Sequence, residues 1–258
     1  MGNCLYVVGG NAEGAQTANV ELLDMTQPNA EWTPCADMSD TRSFLTAVSV
    51  KSFLYAVGGC NQAGDRLNTM ERYDVAMDAW TACAHMRHPL TEHAAVVLND
   101  LIYVLGGAIV GHGRITRVAD VDRYDPAKDT WTVCAPMSSP RSDFAAATIG
   151  DTIVVAGGFD KTNKPLASAE RYNPVTNTWT ACAPMPTARA AMGGCAVGAV
   201  FWVFSLGLLC ATSHFLYSTL GLLRNGCKSL FFHDSIRIYD FVDSRGVHFD
   251  ARVLGVSC

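Results

Sequence analysis

Two histidines and a glutamate lie close together in one connection of the chain, His88, Glu92 and His93. Imidazole and carboxylate groups could in principle bind a metal ion or exchange protons with a substrate. Their spacing matches no common metal-ligand pattern, and the chain has no GxSxG element and no phosphate-binding loop. Surface histidines in a connecting loop are the commoner explanation, so we expect no enzyme activity, no metal site and no cofactor.

Four of the ten cysteines share one position, three residues after a tryptophan: Cys35, Cys83, Cys134 and Cys182. Cysteines at the same place in successive repeats are kept apart by the repeat spacing, so we expect reduced thiols buried by packing. No CxxC pair indicates zinc. Without an N-terminal signal peptide, the chain is predicted to be cytoplasmic.

Three arginines also share one position, four residues after a methionine: Arg42, Arg141 and Arg189. Leu90 occupies the corresponding place in a fourth copy. One interpretation is that these arginines tie neighbouring repeat units together through backbone carbonyls. The other is a basic ring that pairs with carboxylates of a partner peptide.

The elements that must position these residues form one repeating unit, clearest over residues 141–185. Four short strand candidates are separated there by Gly, Pro and Asn turn signals, which predicts an antiparallel four-stranded sheet. The unit recurs every 48 to 51 residues. Its fixed positions are Gly9, Gly10, Gly58, Gly59, Gly106, Gly107, Gly157 and Gly158, then Tyr73, Tyr124 and Tyr172, then Trp32, Trp80, Trp131 and Trp179.

This pattern resembles the kelch repeat: an apolar strand, a diglycine, Glu-Arg-Tyr-Asp, and a Trp seven residues after the Tyr. The resemblance covers about residues 4–203 and implies an all-β kelch β-propeller, whose small sheets, called blades, stack because none can bury both faces alone. About four blades and a fragment are present, so the propeller is expected to be incomplete. Each Trp is expected to pack between neighbouring blades.

We predict the following domains: a propeller over residues 1–203, comprising a partial first blade (1–40), three blades (41–86, 90–137 and 141–185) and a truncated blade (189–203), and a segment without the repeat (204–258). Residues 197–223 carry no charge and are long enough to span a bilayer as a helix. The alternative is an apolar helix without that role, in a truncated or alternative ending. Residues 235–242 and 247–254 then predict a hairpin.

In an up-and-down blade, the connection between strands two and three emerges on the same side as the link to the next blade. We call this side the loop face. Variable loops on a repeated framework are typical of recognition surfaces. The predicted partner-binding side chains on the loop face are Arg42, Arg66, Arg87, His88, His93, His112, Arg114, Arg117, Arg141 and Arg189.

The pattern is most similar to the propellers of BTB-kelch proteins. That resemblance implies a substrate-recognition module that presents proteins to cullin-based ubiquitin ligases. The alternatives are an actin- or cytoskeleton-binding propeller and, less favoured, a membrane-anchored kelch protein. The expected partner is a protein, such as an acidic peptide segment. A net charge of −5 disfavours general nucleic-acid binding.

Overall fold

The computed structural model describes residues 3–12, 14–111, 114–197, 200–205, 241–242 and 248–249. These residues form β-strands, turns and irregular connections, and they contain no helix. The chain divides into two compact units, Met1–Ser142 and Asp143–Cys258. The predicted boundary between a propeller and a separate segment at residue 204 stays a prediction.

The first unit begins with a three-stranded sheet, blade 1, in the order β1-β4-β5. A small hairpin, β2 and β3, fills the connection between its first two strands. The strands are β1 (Cys4–Val8), β2 (Asn11–Ala12), β3 (Ala15–Gln16), β4 (Val20–Asp24) and β5 (Trp32–Cys35).

Blades 2 and 3 complete the first unit as four-stranded antiparallel sheets, ordered β6-β7-β8-β9 and β10-β11-β14-β15. A second hairpin, β12 and β13, projects from blade 3. The strands of blade 2 are β6 (Thr46–Val50), β7 (Phe53–Val57), β8 (Met70–Asp74) and β9 (Ala79–Ala82). Those of blade 3 are β10 (Ala94–Leu98), β11 (Leu101–Leu105), β12 (Ala108–Gly111), β13 (Arg114–Arg117), β14 (Val121–Asp125) and β15 (Thr130–Cys134).

A diglycine is required after the second strand because the backbone of the blade links passes very close to it. Gly58 and Gly59 have φ of 58° and 91°. A Cβ on Gly58 would lie 2.7 Å from the Leu90 carbonyl oxygen, and one on Gly59 would lie 2.5 Å from that of Ser43. Only glycine combines this backbone conformation with such contacts.

The aromatic residues recur in each repeat because they pack between blades. Tyr73 and Trp80 stack on adjacent strands with centroids 5.1 Å apart, and the Trp80 indole N–H donates to the Ala36 carbonyl of blade 1 at 2.8 Å. Trp131 donates in the same way to Ala84 of blade 2 at 2.9 Å. The core between blades 1 and 2 is built from Val20, Met38 and Ala56, with Trp80 packed against it.

The second unit contains blade 4, ordered β16-β17-β18-β19, and a two-stranded sheet of β20 and β21. β16 contacts β20, so the latter pair stands where a fifth blade begins. The strands are β16 (Ala145–Ile149), β17 (Thr152–Ala156), β18 (Ala169–Asn173), β19 (Thr178–Cys182), β20 (Met192–Val197) and β21 (Val200–Ser205).

The predicted apolar helix from residue 197 is corrected at its start. Val197 pairs with Val200 and Met192 pairs with Ser205, so residues 200–205 form a strand that completes a hairpin. The rest of that prediction, residues 206–223, lies outside the described residues. No helix in the described ranges is long and apolar enough to cross a membrane.

The predicted C-terminal hairpin is described only at its centre. β22 (Phe241–Val242) pairs with β23 (His248–Phe249), with Phe241 opposite Phe249. The remaining residues of that prediction lie outside the described ranges.

Candidate functional site

The loop face of the first unit is assembled by contacts between each blade link and the neighbouring connection of strands two and three. Ser43 forms a β-bridge with Cys60, and Thr91 forms one with Ala108. The Gln62 backbone N–H donates to Thr41 Oγ1 at 2.9 Å, which ties blade 2 to the link before it. The loops therefore form one surface on rigid sheets within this unit.

Arg42 does not belong to the accessible part of this face, because its side chain is fully buried. Its guanidinium donates to the carbonyl oxygens of Gly58 and Thr69 at 3.0 and 3.1 Å, and to Glu71 Oε1 at 2.8 Å. This arrangement corrects the expectation of a partner-binding arginine. It matches the alternative that the sequence left open, a tie between blades through backbone carbonyls.

Arg141 is also fully buried, so the expected basic ring loses a second member. Its backbone carbonyl accepts from the Gly107 N–H at 2.8 Å, as the Arg42 carbonyl accepts from Gly10 at 2.7 Å. Neither arginine can pair with a partner peptide without leaving the protein interior. Arg42 and Arg141 thus share burial as well as the same backbone hydrogen bond.

Blade 3 has no arginine at the position of Leu90, and a different residue supplies the cation. Arg87 Nη2 lies 3.1 Å from Asp122 and 3.2 Å from Asp120. Asp122 occupies the sequence position of Glu71, two residues before the repeat Tyr, and burial raises the pKa of its carboxyl. His88 Nε2 lies 3.7 Å from Asp120. Arg87 and His88 are accessible, but both lie against carboxylates of blade 3.

His93 is buried beneath two diglycines and does not face a partner. A Cβ on Gly58 would lie 2.9 Å from its Cε1, and one on Gly107 would lie 2.7 Å from its Cβ. Neither ring nitrogen makes a hydrogen bond of good geometry among the described residues, and the backbone of Val57 provides only a weak polar contact that opposes the effect of burial. Burial lowers the pKa of His93 to about 4. The imidazole is therefore neutral at pH 7, and its prediction as a binding residue is corrected.

The remaining predicted cations differ in their availability. Arg114 and Arg189 are exposed, whereas Arg66 is half-buried and turned back towards its own loop, with Nη1 3.5 Å from the Gly64 carbonyl. Arg117 is half-buried and donates from Nε to Ser142 Oγ at 2.9 Å. His112 lies outside the described residues.

The connection between strands two and three of blade 3, expected only as a loop, is the hairpin of β12 and β13, and it carries exposed apolar and basic side chains. Val110 and Ile115 are cross-strand partners and are 38% and 58% exposed. Arg114, beside Ile115, makes no ion pair within the described part of the chain. β-Branched residues on both sides of a turn containing glycine were the signal that could have predicted this hairpin.

Backbone strain recurs where each link enters the first strand of the next blade. In the first unit, Phe44 and Glu92 have φ of 53° and 57°, and in the second unit Asp143 and Ala191 have 52° and 51°. A bulky side chain such as Phe44 in the left-handed region is unusual, and such outliers cluster at functional sites. Phe44 is 38% exposed on the loop face.

The described residues contain no group of three or more His, Cys, Asp or Glu side chains that could hold a metal ion. The four repeat cysteines are free thiols. The geometry therefore supports a contact surface made of exposed apolar and basic side chains.

Comparison with solved structures gives the same fold. The structure titled "Structure of YjhT" superimposes with a TM-score of 0.70 at 16% identity, and covers 98% of this chain and 81% of that one. At this identity the match concerns the fold alone.

Curated relatives are kelch-like proteins. Kelch-like protein 25 from Xenopus tropicalis is 28% identical over 169 residues, which is 63% of this chain and 28% of that protein. Kelch-like protein 1 from Mus musculus is 48% identical over 40 residues, and Kelch-like protein 4 from Homo sapiens 46% over 46 residues. These two matches cover 16% and 17% of this chain, and 5% and 6% of those proteins.

The KLHDC2/KLHL20/DRC7 Kelch-repeats domain matches residues 1–206. Kelch propellers are generally non-enzymatic protein-interaction folds, and these matches support a protein-binding propeller. The all-β structure, its four-stranded sheets and this match together identify the chain as an incomplete kelch propeller that belongs to the KLHDC2/KLHL20/DRC7 Kelch-repeats family.

Proposed function

We propose that the chain is a cytoplasmic substrate-recognition propeller of the kind that presents proteins to cullin-based ubiquitin ligases. The kelch-like relatives support this class, although the chain spans only 5 to 28% of the relatives named above. The observation that carries the proposal is the exposed hairpin of β12 and β13, where an apolar pair adjoins an exposed arginine that has no ion-pair partner among the described residues.

The chemistry of the hairpin defines the partner. Val110 and Ile115 offer apolar area to a side chain, and Arg114 offers a charge-assisted hydrogen bond to a carboxylate. Residues 101–119 contain no acidic residue, so this region attracts acidic segments although the whole chain is acidic. The partner is therefore an extended protein segment that combines an apolar side chain with a nearby carboxylate.

The hairpin is accessible because it stands apart from the blade sheet. β12 and β13 form a separate two-stranded sheet, while β11 pairs directly with β14 beside them. At its base, Arg117 is held by Ser142 and Ala108 by Thr91, so the hairpin is anchored there, while Gly111 and Arg114 at the far ends of its strands are exposed. A rigidly based loop of this kind loses little conformational entropy on binding.

The experiment is affinity capture from cytosolic extract with the intact chain, followed by quantitative mass spectrometry. The test variant is Arg114→Glu with Ile115→Asp, and the matched control is Lys128→Glu on the turn between β14 and β15. The Lys128 side chain is 75% exposed, and its one ion pair within the described ranges is with Asp125, at 3.0 Å. We expect a set of captured proteins to be lost at least tenfold with the test variant and kept with the control.

The identity of the captured proteins then discriminates between classes. Cullin-ligase substrates that accumulate when cullin activation is inhibited would support the proposal. Loss of actin alone would favour the cytoskeletal alternative. A captured set that both variants keep, or both lose, would exclude the hairpin as the docking element.

A further inference from the structure

The burial of Arg42 defines what this repeat position requires. The arginine in the link before a blade inserts between the second and third strands of that blade. There it meets two backbone carbonyls, the Thr69 hydroxyl at 2.8 Å and the Glu71 carboxylate at 2.8 Å. Thr69 immediately precedes β8 and Glu71 lies within it, so the third strand of the blade supplies most of the site.

Arg189 occupies the same backbone position in the second unit. Its N–H donates to the Leu166 carbonyl at 3.0 Å, as that of Arg42 donates to Thr17 at 3.0 Å. Its carbonyl accepts from Gly158 at 2.8 Å, as that of Arg42 accepts from Gly10 at 2.7 Å. Yet the Arg189 side chain is exposed and has no hydrogen-bond or ion-pair partner among the described residues.

The sheet that follows Arg189 shows what its side chain lacks. In blade 2, the second strand β7 pairs with β6 on one side and with β8 on the other. In the corresponding sheet of the second unit, β21 pairs with β20 alone within the described ranges. Gly193 lies four residues after Arg189, as Thr46 lies four residues after Arg42. Gly193 pairs with Phe204 and Thr46 pairs with Val57, so Val203 corresponds to Ala56. Ala56 is the residue opposite Glu71.

We propose that the edge of β21 that faces away from β20, which has no partner strand among the described residues, is a docking site for an extended protein segment. The segment adds as a third antiparallel strand and places a carboxylate opposite Val203 to pair with Arg189. An unpaired strand offers its N–H and C=O groups to such a segment, and main-chain hydrogen bonds supply affinity. The docked strand would cover the exposed Arg189 side chain, as β8 covers Arg42. Because a guanidinium that is buried without a carboxylate is strongly disfavoured, the arginine selects a segment that supplies one.

The repeats themselves specify the chemistry of the occupant. The third strands of blades 2, 3 and 4 read Glu-Arg-Tyr, Asp-Arg-Tyr and Glu-Arg-Tyr, each with the acidic residue buried. In the ladder of blade 2, Tyr73 lies opposite Leu54, and the corresponding residue of β21 is Phe201. Blades 2 and 4, which follow a link arginine, also have a hydroxyl residue two positions before the acid, Thr69 and Ser168. The fitting segment therefore carries an acidic residue two positions before an aromatic one, with a hydroxyl residue two positions before the acid.

The test uses a fluorescent peptide with the sequence of residues 67–76, which contains Thr69, Glu71 and Tyr73. Fluorescence anisotropy is measured against the intact chain and against Arg189→Ala. We expect saturable binding to the intact chain and about tenfold weaker binding to the variant, as for the loss of a charge-assisted hydrogen bond. Lys164→Ala, another exposed cation in this unit, is the matched control and is expected to bind normally.

Two peptide variants complete the experiment. Glu71→Gln in the peptide should weaken binding to the intact chain about tenfold and should have no further effect on Arg189→Ala. Methylation of the backbone nitrogens that face β21 should abolish binding. Absence of saturable binding, equal binding to Arg189→Ala, or full binding of the methylated peptide would each overturn the proposal.

Discussion

The two blade junctions within the first unit satisfy the same acidic position in different ways. Between blades 1 and 2, Glu71 pairs with Arg42, and both side chains are nearly inaccessible, at 4% and 0% exposure. Between blades 2 and 3, Asp122 pairs with Arg87, which is 38% exposed and shared with Asp120. The acid is buried at both junctions, but only the first junction buries the cation as well.

The difference shows that the acidic residue is fixed by the strand, whereas the arginine can come from more than one place in the link. β8 and β14 present their carboxylates at the same register, opposite Ala56 and Val104. Leu90 fills the Arg42 position at the second junction and is 5% exposed. The second junction thus replaces a buried guanidinium by an apolar side chain, and leaves a more solvated ion pair at its edge.

The largest effect is expected from breaking the buried pair. Arg42→Ala leaves the Glu71 carboxylate buried without its cation, and should lower the free energy of unfolding by about 3–5 kcal/mol, measured by urea titration. Arg66→Ala, in the same blade but half-exposed, is the control and should cost less than about 1 kcal/mol.

A second variant separates charge pairing from simple loss of volume. Arg42→Met with Glu71→Leu removes both charges and should recover much of the loss, because an apolar pair needs no desolvated charge. If the double variant were as unstable as Arg42→Ala, packing volume and the backbone contacts would outweigh the ion pair.

The fold could be predicted from the sequence because every repeat position has its own physical requirement. The positive φ of Gly59 demands glycine, the Tyr73 hydroxyl demands an acceptor at Asp78, 2.6 Å away, and Trp80 demands the Ala36 carbonyl. Such requirements act within one blade or between consecutive blades, so the same residue types recur at a fixed spacing in the sequence. The four-stranded sheets and the first two strands after blade 4 followed from that spacing.

The accessibility of the site residues could not be predicted in the same way. Arg42 and Arg189 share a sequence position and the same backbone hydrogen bonds, but one is buried and the other exposed. The burial of an arginine there depends on a strand that comes about thirty residues later in the chain, as β8 does after Arg42. His93 likewise looks like a surface histidine until the diglycines of two blades close over it.

The next effect is a pH dependence specific to the second junction. The pKa of His93 is about 4 in the folded protein, below the ordinary value of 6.5, because burial disfavours the charged form. The unfolded chain therefore binds more protons between these values, and stability that is complete above pH 6.5 is lost as the pH falls towards 4. The loss should reach about 3 kcal/mol near pH 4.

His93→Leu should flatten that part of the profile, measured by urea titration between pH 4 and pH 7.5. Burial is the main cause of the low pKa of His93, the backbone of Val57 opposes it, and no charged side chain of the described residues contributes. His85→Asn controls for the loss of one exposed histidine. A slope that persists in His93→Leu would assign the pH dependence to other groups.

The smallest effect is expected from breaking the solvated pair. Arg87→Ala should cost only about 0.5–1 kcal/mol at pH 7, since a guanidinium that is 38% exposed gains little from pairing in water. The cost should fall further in 0.5 M salt, whereas that of Arg42→Ala should hardly change.

The cost of Arg87→Ala should also shrink as the pH is lowered, because burial raises the pKa of Asp122 and Arg87 opposes that rise. A protonated Asp122 no longer needs a cation, so the variant and the parent converge in acid. An Arg87→Ala variant as unstable as Arg42→Ala, with no response to salt, would show that the two junctions are equivalent after all.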